Sequence, residues 1–344
     1  MRNTAKIQPR NGNGMNPLAP AATRRQLLAG LVAGLAGASC ASSESGSPDS
    51  ALSGGTPGTG GTPGTGGTAG SGAPGSGGTA GSGGSAGSAN SRRQAADRVM
   101  LGATGIQVSR LAMGSGTHGG GGASDQTRLG ISGFAQLLVD SYDQGVTFWE
   151  TADQYGAHEH LNAAMKQVGR NNVVVLTKTH AETEAEMEAD LQRFLQELGT
   201  DYIDVLLLHN KQSSTWTSEC AGAMRYLEDA KKRGVIRAHG VSCHTLSALQ
   251  LAASTPWVDV DLARINPAGV AMDADPETVI GVLRQMKSAR KGVIGMKILG
   301  EGQLAGQLEM AIQHAVRLDC IDGFTIGFTS KQQLDQVSER IAAS

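Results

Sequence analysis

Four polar side chains follow three successive strand-like runs of the sequence, and their types could together transfer a proton. Glu150 and Tyr155 follow the first of these runs, Lys178 the second and His209 the third. A tyrosine, whose pKa is about 10 in water, is a poor proton donor at neutral pH. An adjacent ammonium favours the phenolate and is expected to lower that pKa into a useful range. The four types therefore predict acid–base chemistry at one point.

Each of the other three side chains has a role in this hypothesis. Lys178 would supply the positive charge beside Tyr155. A buried lysine needs a counter-charge to stay protonated, and Glu150 can provide it, with Asp153 as a second carboxylate that could share the role. His209 would orient the oxygen atom of the substrate.

Such a site needs a scaffold that brings successive strand ends together. Strand-like and amphipathic stretches alternate eight times, with strand-like runs ending near residues 114, 149, 177, 208, 240, 265, 296 and 326. The helical stretches between and after them are 130–143, 158–168, 182–198, 219–233, 246–253, 276–289, 304–318 and 331–341. This order predicts a (β/α)8 TIM barrel, preceded by a β-hairpin that turns at residues 103–105.

An open, doubly wound sheet is the alternative α/β fold. It would usually carry a G-x-G-x-x-G turn after its first strand. The glycines at 119–122 form only a polyglycine loop, which could contact a phosphate or act as a flexible cover over a barrel mouth.

The composition divides the chain into three parts. Residues 51–90 contain 17 of the 49 glycines, and residues 41–96 are predicted to form a disordered linker because they have too little apolar mass to repay the entropy of ordering. One globular domain, residues 97–344, follows. The seven basic and two acidic residues before position 97 leave this domain 22 basic and 29 acidic residues, a balance that argues against nucleic acid as a partner.

Residues 1–40 carry the pattern of an export signal. Arg24 and Arg25 precede a short apolar run and resemble the twin-arginine translocation signal. Cys40 resembles the lipidated cysteine of a lipoprotein, whereas residues 36–38 (Ala-Gly-Ala) fit plain cleavage, and both alternatives stay open. The linker favours a domain anchored through Cys40 and held away from a membrane. The predicted location is therefore outside the cytoplasm, periplasmic or membrane-anchored.

Cysteine and histidine spacing gives little support to other kinds of site. Cys220, Cys243 and Cys320 have no C-x-x-C spacing and predict neither a disulfide framework nor a zinc site. Histidines near the expected mouth would be the ligands of a metal-dependent hydrolase, a further alternative; they are His118, His180, His209 and His244.

Three segments of the domain resemble the aldo-keto reductase family. They are LGATGIQVSRLAMG (101–114), EMEADLQRFLQELGTDYIDVLLLH (186–209) and TIGFTSKQQLDQV (325–337). The resemblance implies reduction of a small carbonyl compound, or oxidation of an alcohol, with NADPH bound across a barrel mouth. The family's tetrad of Asp, Tyr, Lys and His falls on Glu150, Tyr155, Lys178 and His209, which makes Tyr155 the general acid.

The same resemblance implies a set of cofactor contacts, namely Gly116, Thr117, Ser242, Lys297, Gly300, Gly327 and Gln333. The sequence departs from the family where it has Glu150 for aspartate, Cys243 and Val337 for asparagines, and Leu262 for glutamine. NADP is preferred over NAD on the resemblance and on Lys331, near the expected ribose phosphate.

These departures support an alternative function, a non-catalytic protein that binds a nucleotide or another ligand in a vestigial site. The sequence does not identify the substrate. The short loops at 211–218 and 301–303 suggest an open pocket.

Overall fold

The computed structural model describes residues 93–344. The signal at residues 1–40, with Cys40, and the linker as far as residue 92 lie outside the described residues and stay predictions. Ala95 and Ala96, which the linker prediction includes, pack against the domain. Ala95 is buried, and its carbonyl oxygen accepts a hydrogen bond of 3.0 Å from the backbone N–H of Leu111.

Eight parallel strands form a closed barrel, so the predicted (β/α)8 barrel is confirmed. The last strand of the chain, β10 (Gly323–Gly327), pairs with the first barrel strand, β3 (Leu111–Gly114), and closes the sheet. The strands are β3 (Leu111–Gly114), β4 (Phe148–Glu150), β5 (Val174–Thr179), β6 (Ile203–Lys211), β7 (Ile236–Cys243), β8 (Val260–Arg264), β9 (Gly292–Met296) and β10 (Gly323–Gly327).

Nine described helices connect and surround these strands. They are α1 (Gly130–Asp143), α2 (His158–Val168), α3 (Glu184–Leu198), α4 (Trp216–Glu219), α5 (Ala221–Lys232), α6 (Leu246–Ser254), α7 (Pro276–Ser288), α8 (Leu308–Arg317) and α9 (Lys331–Ala342). Their apolar faces pack on the outside of the barrel in one continuous core. From residue 93 onward, no helix combines the length and apolar character needed to cross a membrane.

The predicted hairpin closes one end of the barrel. Strands β1 (Arg98–Met100) and β2 (Gln107–Ser109) pair antiparallel. Leu101 and Ile106 between them are fully buried and pack with the apolar side chains inside the barrel. Gly102 has φ +53°, and a Cβ there would overlap the backbone at Gly292, so the turn needs a glycine.

Period-two alternation along each strand separates two layers of side chains. One set fills the barrel, including Phe148, Leu176 and Leu207. The neighbouring set, including Trp149 and Leu208, packs between the barrel and the helices. The side chain at the end of a strand therefore faces the barrel mouth or the helices according to this alternation.

Candidate functional site

Three adjacent strands each contribute an apolar residue inside the barrel and, two positions further on, a polar residue at its mouth. The pairs are Phe148 and Glu150 on β4, Leu176 and Lys178 on β5, and Leu207 and His209 on β6. Because strands tilt across a barrel, these polar ends converge. The sequence reasoning that grouped them agrees with this arrangement.

Glu150 and Lys178 form a buried ion pair. The Lys178 Nζ donates to Glu150 Oε1 and, over 2.7 Å, to the Thr151 carbonyl oxygen. Thr325 of β10 donates to the other oxygen of Glu150 at 3.2 Å. Burial lowers the pKa of Lys178, and the charge of Glu150 opposes that shift. The extra methylene of a glutamate at this position therefore still permits contact with the lysine.

Asp153 does not share this role. Its carboxylate binds the guanidinium of Arg193 on α3, with 2.6 Å between Oδ1 and Nη1. The carboxylate of Asp153 is thus engaged by α3, while Glu150 pairs with Lys178.

Tyr155 ends a single 3₁₀ turn, Asp153–Tyr155, directly after β4. The Lys178 Nζ lies 5.0 Å from the centroid of its ring, and the His209 ring meets it edge-on with 5.8 Å between centroids. The four predicted side chains, Glu150 included, therefore lie at one place.

The pKa of Tyr155 moves in the direction opposite to the one expected from the sequence. Burial raises it well above its ordinary value, and the carboxylate of Glu150 raises it further. The prediction that Lys178 lowers this pKa is wrong, because burial of the phenol is the largest influence and the charge of Glu150 acts in the same direction. The phenol is therefore protonated at neutral pH, the state in which it can donate a proton.

His209 is a neutral imidazole in this site. Burial lowers its pKa far below the ordinary value, and the charge of Lys178 adds to the effect. His180, which the sequence analysis did not place in the catalytic group, stacks on it with 4.7 Å between ring centroids. The His180 Nε2 also lies 3.0 Å from the Gln154 Oε1, so this histidine connects the β6 end to the turn that carries Tyr155.

The glycine-rich loop after β3 is built against Tyr155. A Cβ on Gly116 would overlap one edge of the phenol ring, and a Cβ on Gly119 would overlap the other. Gly122 N–H donates to the Gln154 carbonyl oxygen at 2.9 Å. The loop thus packs over the ring of Tyr155.

The predicted cofactor contacts at β3 and β10 lie side by side. Gly116 and Thr117 follow β3. Gly327, the last residue of β10, lies so close to Thr117 that a Cβ on Gly327 would overlap the threonine hydroxyl. The buried Gln126, which the sequence analysis missed, holds Thr117: its Oε1 accepts from the Thr117 N–H and its Nε2 donates to the hydroxyl, both at 3.0 Å. Gln333 lies in the first turn of α9, where its Oε1 accepts from the Thr329 N–H at 2.8 Å.

Ser242 fits a role in holding a carboxamide, whereas its neighbour does not. Ser242 faces the barrel interior on β7, and its Oγ accepts from the Asn210 N–H at 3.0 Å. Among residues 93–344 no acceptor takes the Ser242 hydroxyl hydrogen, which leaves a donor for a ligand. Cys243 packs in the layer between barrel and helices, and Leu262 in the barrel core, so neither supplies a polar contact.

Two basic side chains lie at the ends of β8 and β9, and each is paired with a carboxylate. Lys297 follows β9 and binds Glu301, close to Gly300. Burial lowers the pKa of His244 to about 4, and the charges of Arg264 and Lys297 contribute to this shift. A phosphate group at this side of the mouth would compete with Asp273 and Glu301 for these two cations.

Two further positions named from the sequence, Lys331 and Val337, lie on α9. Val337 is buried on the inner face of α9, and Lys331 on the same helix binds Asp335 at 2.8 Å.

Within the described residues, no group of three His, Cys, Asp or Glu side chains comes together as metal ligands. His118 instead pairs with Asp125 at 2.8 Å.

Comparison with known proteins places the chain in a family. The profile described as the aldo/keto reductase family matches residues 110–344. The chain is 33% identical over 157 residues to the aldo-keto reductase YhdN of Bacillus subtilis, a match that covers 40% of this chain and 44% of that protein. The match thus spans less than half the length of this relative.

Solved structures of similar fold include two aldo-keto reductases. A putative aldo-keto reductase from Pseudomonas aeruginosa superimposes with a TM-score of 0.62 at 22% identity, covering 73% of this chain and 98% of that one. The Bombyx mori aldo-keto reductase in complex with NADP superimposes with a TM-score of 0.55 at 17% identity, covering 71% and 91% respectively. Both likenesses concern the fold.

Proposed function

The chain belongs to the aldo/keto reductase family, and on that premise we propose that it reduces an aldehyde or ketone to an alcohol with NADPH. The observation that carries this proposal is the convergence of Tyr155, His209 and the buried Glu150–Lys178 pair at one mouth of the barrel. A protonated phenol beside an ammonium and a neutral imidazole can act as a general acid that donates a proton to a carbonyl oxygen.

Each of the four residues has a distinct task in the proposed reaction. Tyr155 hands its proton to the carbonyl oxygen as negative charge develops there. Lys178 stabilises the phenolate that is left, and Glu150 keeps Lys178 charged in a buried place. His209, neutral over the physiological pH range, holds the carbonyl oxygen through a hydrogen bond without competing for the proton.

The proposed cofactor is NADPH, which would supply the hydride when bound. The structure of the Bombyx mori relative contains NADP. In this chain Ser242 would donate to the carboxamide, and Lys297 would face a phosphate. Gly116, Thr117, Gly300, Gly327 and Gln333 would complete the binding surface. Lys297 must leave Glu301 or share its charge with it, because the two are paired.

The test is turnover of the wild-type protein and of Tyr155→Phe. We expect NADPH to bind both proteins and the substitution to lower kcat about 10²- to 10⁴-fold, because it removes only the proton donor. The assay follows NADPH absorbance over a panel of aldehydes and ketones, with fluorescence titration of NADPH as the binding control. Binding without turnover in the wild type would instead support the non-catalytic function. Failure to bind any nicotinamide nucleotide would contradict the proposal.

A further inference from the structure

We propose that Arg193, on the outer helix α3, is a positioning residue that fixes Tyr155 relative to Lys178. The inference rests on the proposed function for its catalytic meaning, but the arrangement itself lies outside the barrel mouth. Tyr155 belongs to a turn of three residues. So short a turn depends on outside contacts for its position, and Arg193 supplies one of them.

The first contact is made with the turn itself. The Arg193 Nη1 donates to the Asp153 Oδ1 over 2.6 Å. Asp153 is the first residue of the turn and stands two positions before Tyr155. A shift of this carboxylate would therefore carry the phenol with it.

The second contact leads to the strand that carries Lys178. The Arg193 Nη2 donates to the Asp190 Oδ1 over 2.7 Å, one turn earlier on α3. The other oxygen of Asp190 accepts a hydrogen bond from the hydroxyl of Thr179. Thr179 directly follows Lys178 on β5 and is fully buried.

The third contact reaches the same strand on the other side of the lysine. The Arg193 Nη1 also donates to the Glu197 Oε1 at 3.1 Å. The second oxygen of Glu197 lies 2.7 Å from the His158 Nδ1, and the Nε2 of that buried ring lies 2.7 Å from the Thr177 hydroxyl. Thr177 directly precedes Lys178.

The guanidinium of Arg193 thus binds the turn that carries Tyr155. Through Asp190 and Glu197 it is also connected to Thr179 and Thr177, the residues on either side of Lys178. Arg193 uses two separate nitrogens of its planar fork to serve three carboxylates, whereas the three donors of a lysine ammonium all radiate from one atom and do not reproduce this geometry. The side chain of Arg193 is 42% exposed, so each ion pair contributes little to global stability. Its effect should appear in the placement of Tyr155 and in the rate rather than in the melting temperature.

The experiment compares four variants of the full chain. Arg193→Met removes the guanidinium, and Arg193→Lys keeps the positive charge but not the planar arrangement of donors. Asp153→Asn removes only the ion pair between Arg193 and the turn. Arg225→Met is the matched control, because Arg225 on α5 forms an exposed pair at 3.9 Å with Glu184 of α3, the helix that carries Arg193. Hydrogen exchange of residues 150–156 is measured without any ligand, and kcat and KM are measured with NADPH and a carbonyl substrate.

We expect Arg193→Met to accelerate exchange of residues 150–156 by at least about tenfold and to lower kcat about 10- to 100-fold, since small misplacements of a catalytic group have large effects on rate. KM for the carbonyl should stay within about threefold. Asp153→Asn should show the same pattern, Arg193→Lys a smaller loss, and Arg225→Met none.

The inference is overturned if exchange of this segment in Arg193→Met and Asp153→Asn equals that in the control variant. It is also overturned if kcat does not fall below that of the control. Should Arg193→Met not fold, Asp153→Asn decides alone, because it leaves the bonds of Arg193 to Asp190 and Glu197 in place. A wild-type chain that reduces no carbonyl contradicts the proposed function, and the exchange data then decide the positioning role by themselves.

Discussion

Two glycines leave the space that the ring of Tyr155 occupies. Gly116 and Gly119 meet opposite edges of the ring, and neither has a positive φ, so the reason for glycine here is contact and not backbone conformation. The same loop is tied to the turn by the bond from Gly122 to the Gln154 carbonyl. A side chain at either glycine must therefore move the phenol or the loop.

We expect Gly116→Ala to lower kcat about tenfold to a hundredfold, because its Cβ would overlap the Tyr155 ring and displace the hydroxyl from the reacting oxygen. Steady-state kinetics with the best carbonyl of the panel would measure this. Gly120→Ala is the control, since its Cβ would meet open space in the same loop. Equal kcat values in the two variants would show that the ring adjusts without loss.

At the scale of elements, the sequence predicts most helix boundaries but misses those that are set by a cap or a 3₁₀ turn. The period-3.6 pattern places α1 and α2 at their observed bounds. The stretch from residue 182 becomes helical only at Glu184, because Thr183 and Glu186 form a capping box. The stretch from residue 304 becomes α8 only at Leu308, after two 3₁₀ turns. These are local hydrogen-bond choices that hydrophobic periodicity does not encode.

The candidate site shows the same limit. The order of the strand ends along the chain correctly groups Glu150, Lys178 and His209 at one mouth. It cannot give the bond from Arg193 to Asp153 or the stacking of His180 on His209, which join side chains 40 and 29 positions apart. Nor can it give the direction of the Tyr155 pKa, which depends on the surroundings of the ring in the folded chain.

The hairpin of β1 and β2 is the element that closes the barrel opposite the site. We expect Leu101→Ala to lower the free energy of unfolding by about 2–5 kcal/mol, because this fully buried side chain fills the barrel end and its removal leaves a cavity. Chemical denaturation followed by circular dichroism would measure the change. Met100→Ala is the control, since Met100 is 46% exposed one residue away. Similar losses in both variants would contradict the role of Leu101 as a plug.

At the scale of the whole molecule, the described domain keeps its thiols out of reach. Cys220, Cys243 and Cys320 are free and fully buried. Burial raises the pKa of all three, that of Cys320 to about 11. Because the thiolate is the reactive form, these cysteines should react with a thiol reagent only when the barrel opens. The chain contains one further cysteine, Cys40, within the predicted signal.

This difference lets thiol counting test the proposed export and anchoring. We propose that the chain is exported through its twin-arginine signal and lipidated at Cys40, which consumes that thiol. In denaturant, the protein from the membrane fraction should then titrate three thiols, and the unprocessed precursor should titrate all four cysteines of the chain. Cys40→Ser should leave three thiols in the precursor and abolish the membrane-bound form. Four thiols in the exported protein would instead show plain cleavage after residues 36–38, with the barrel carried on its linker free of any lipid.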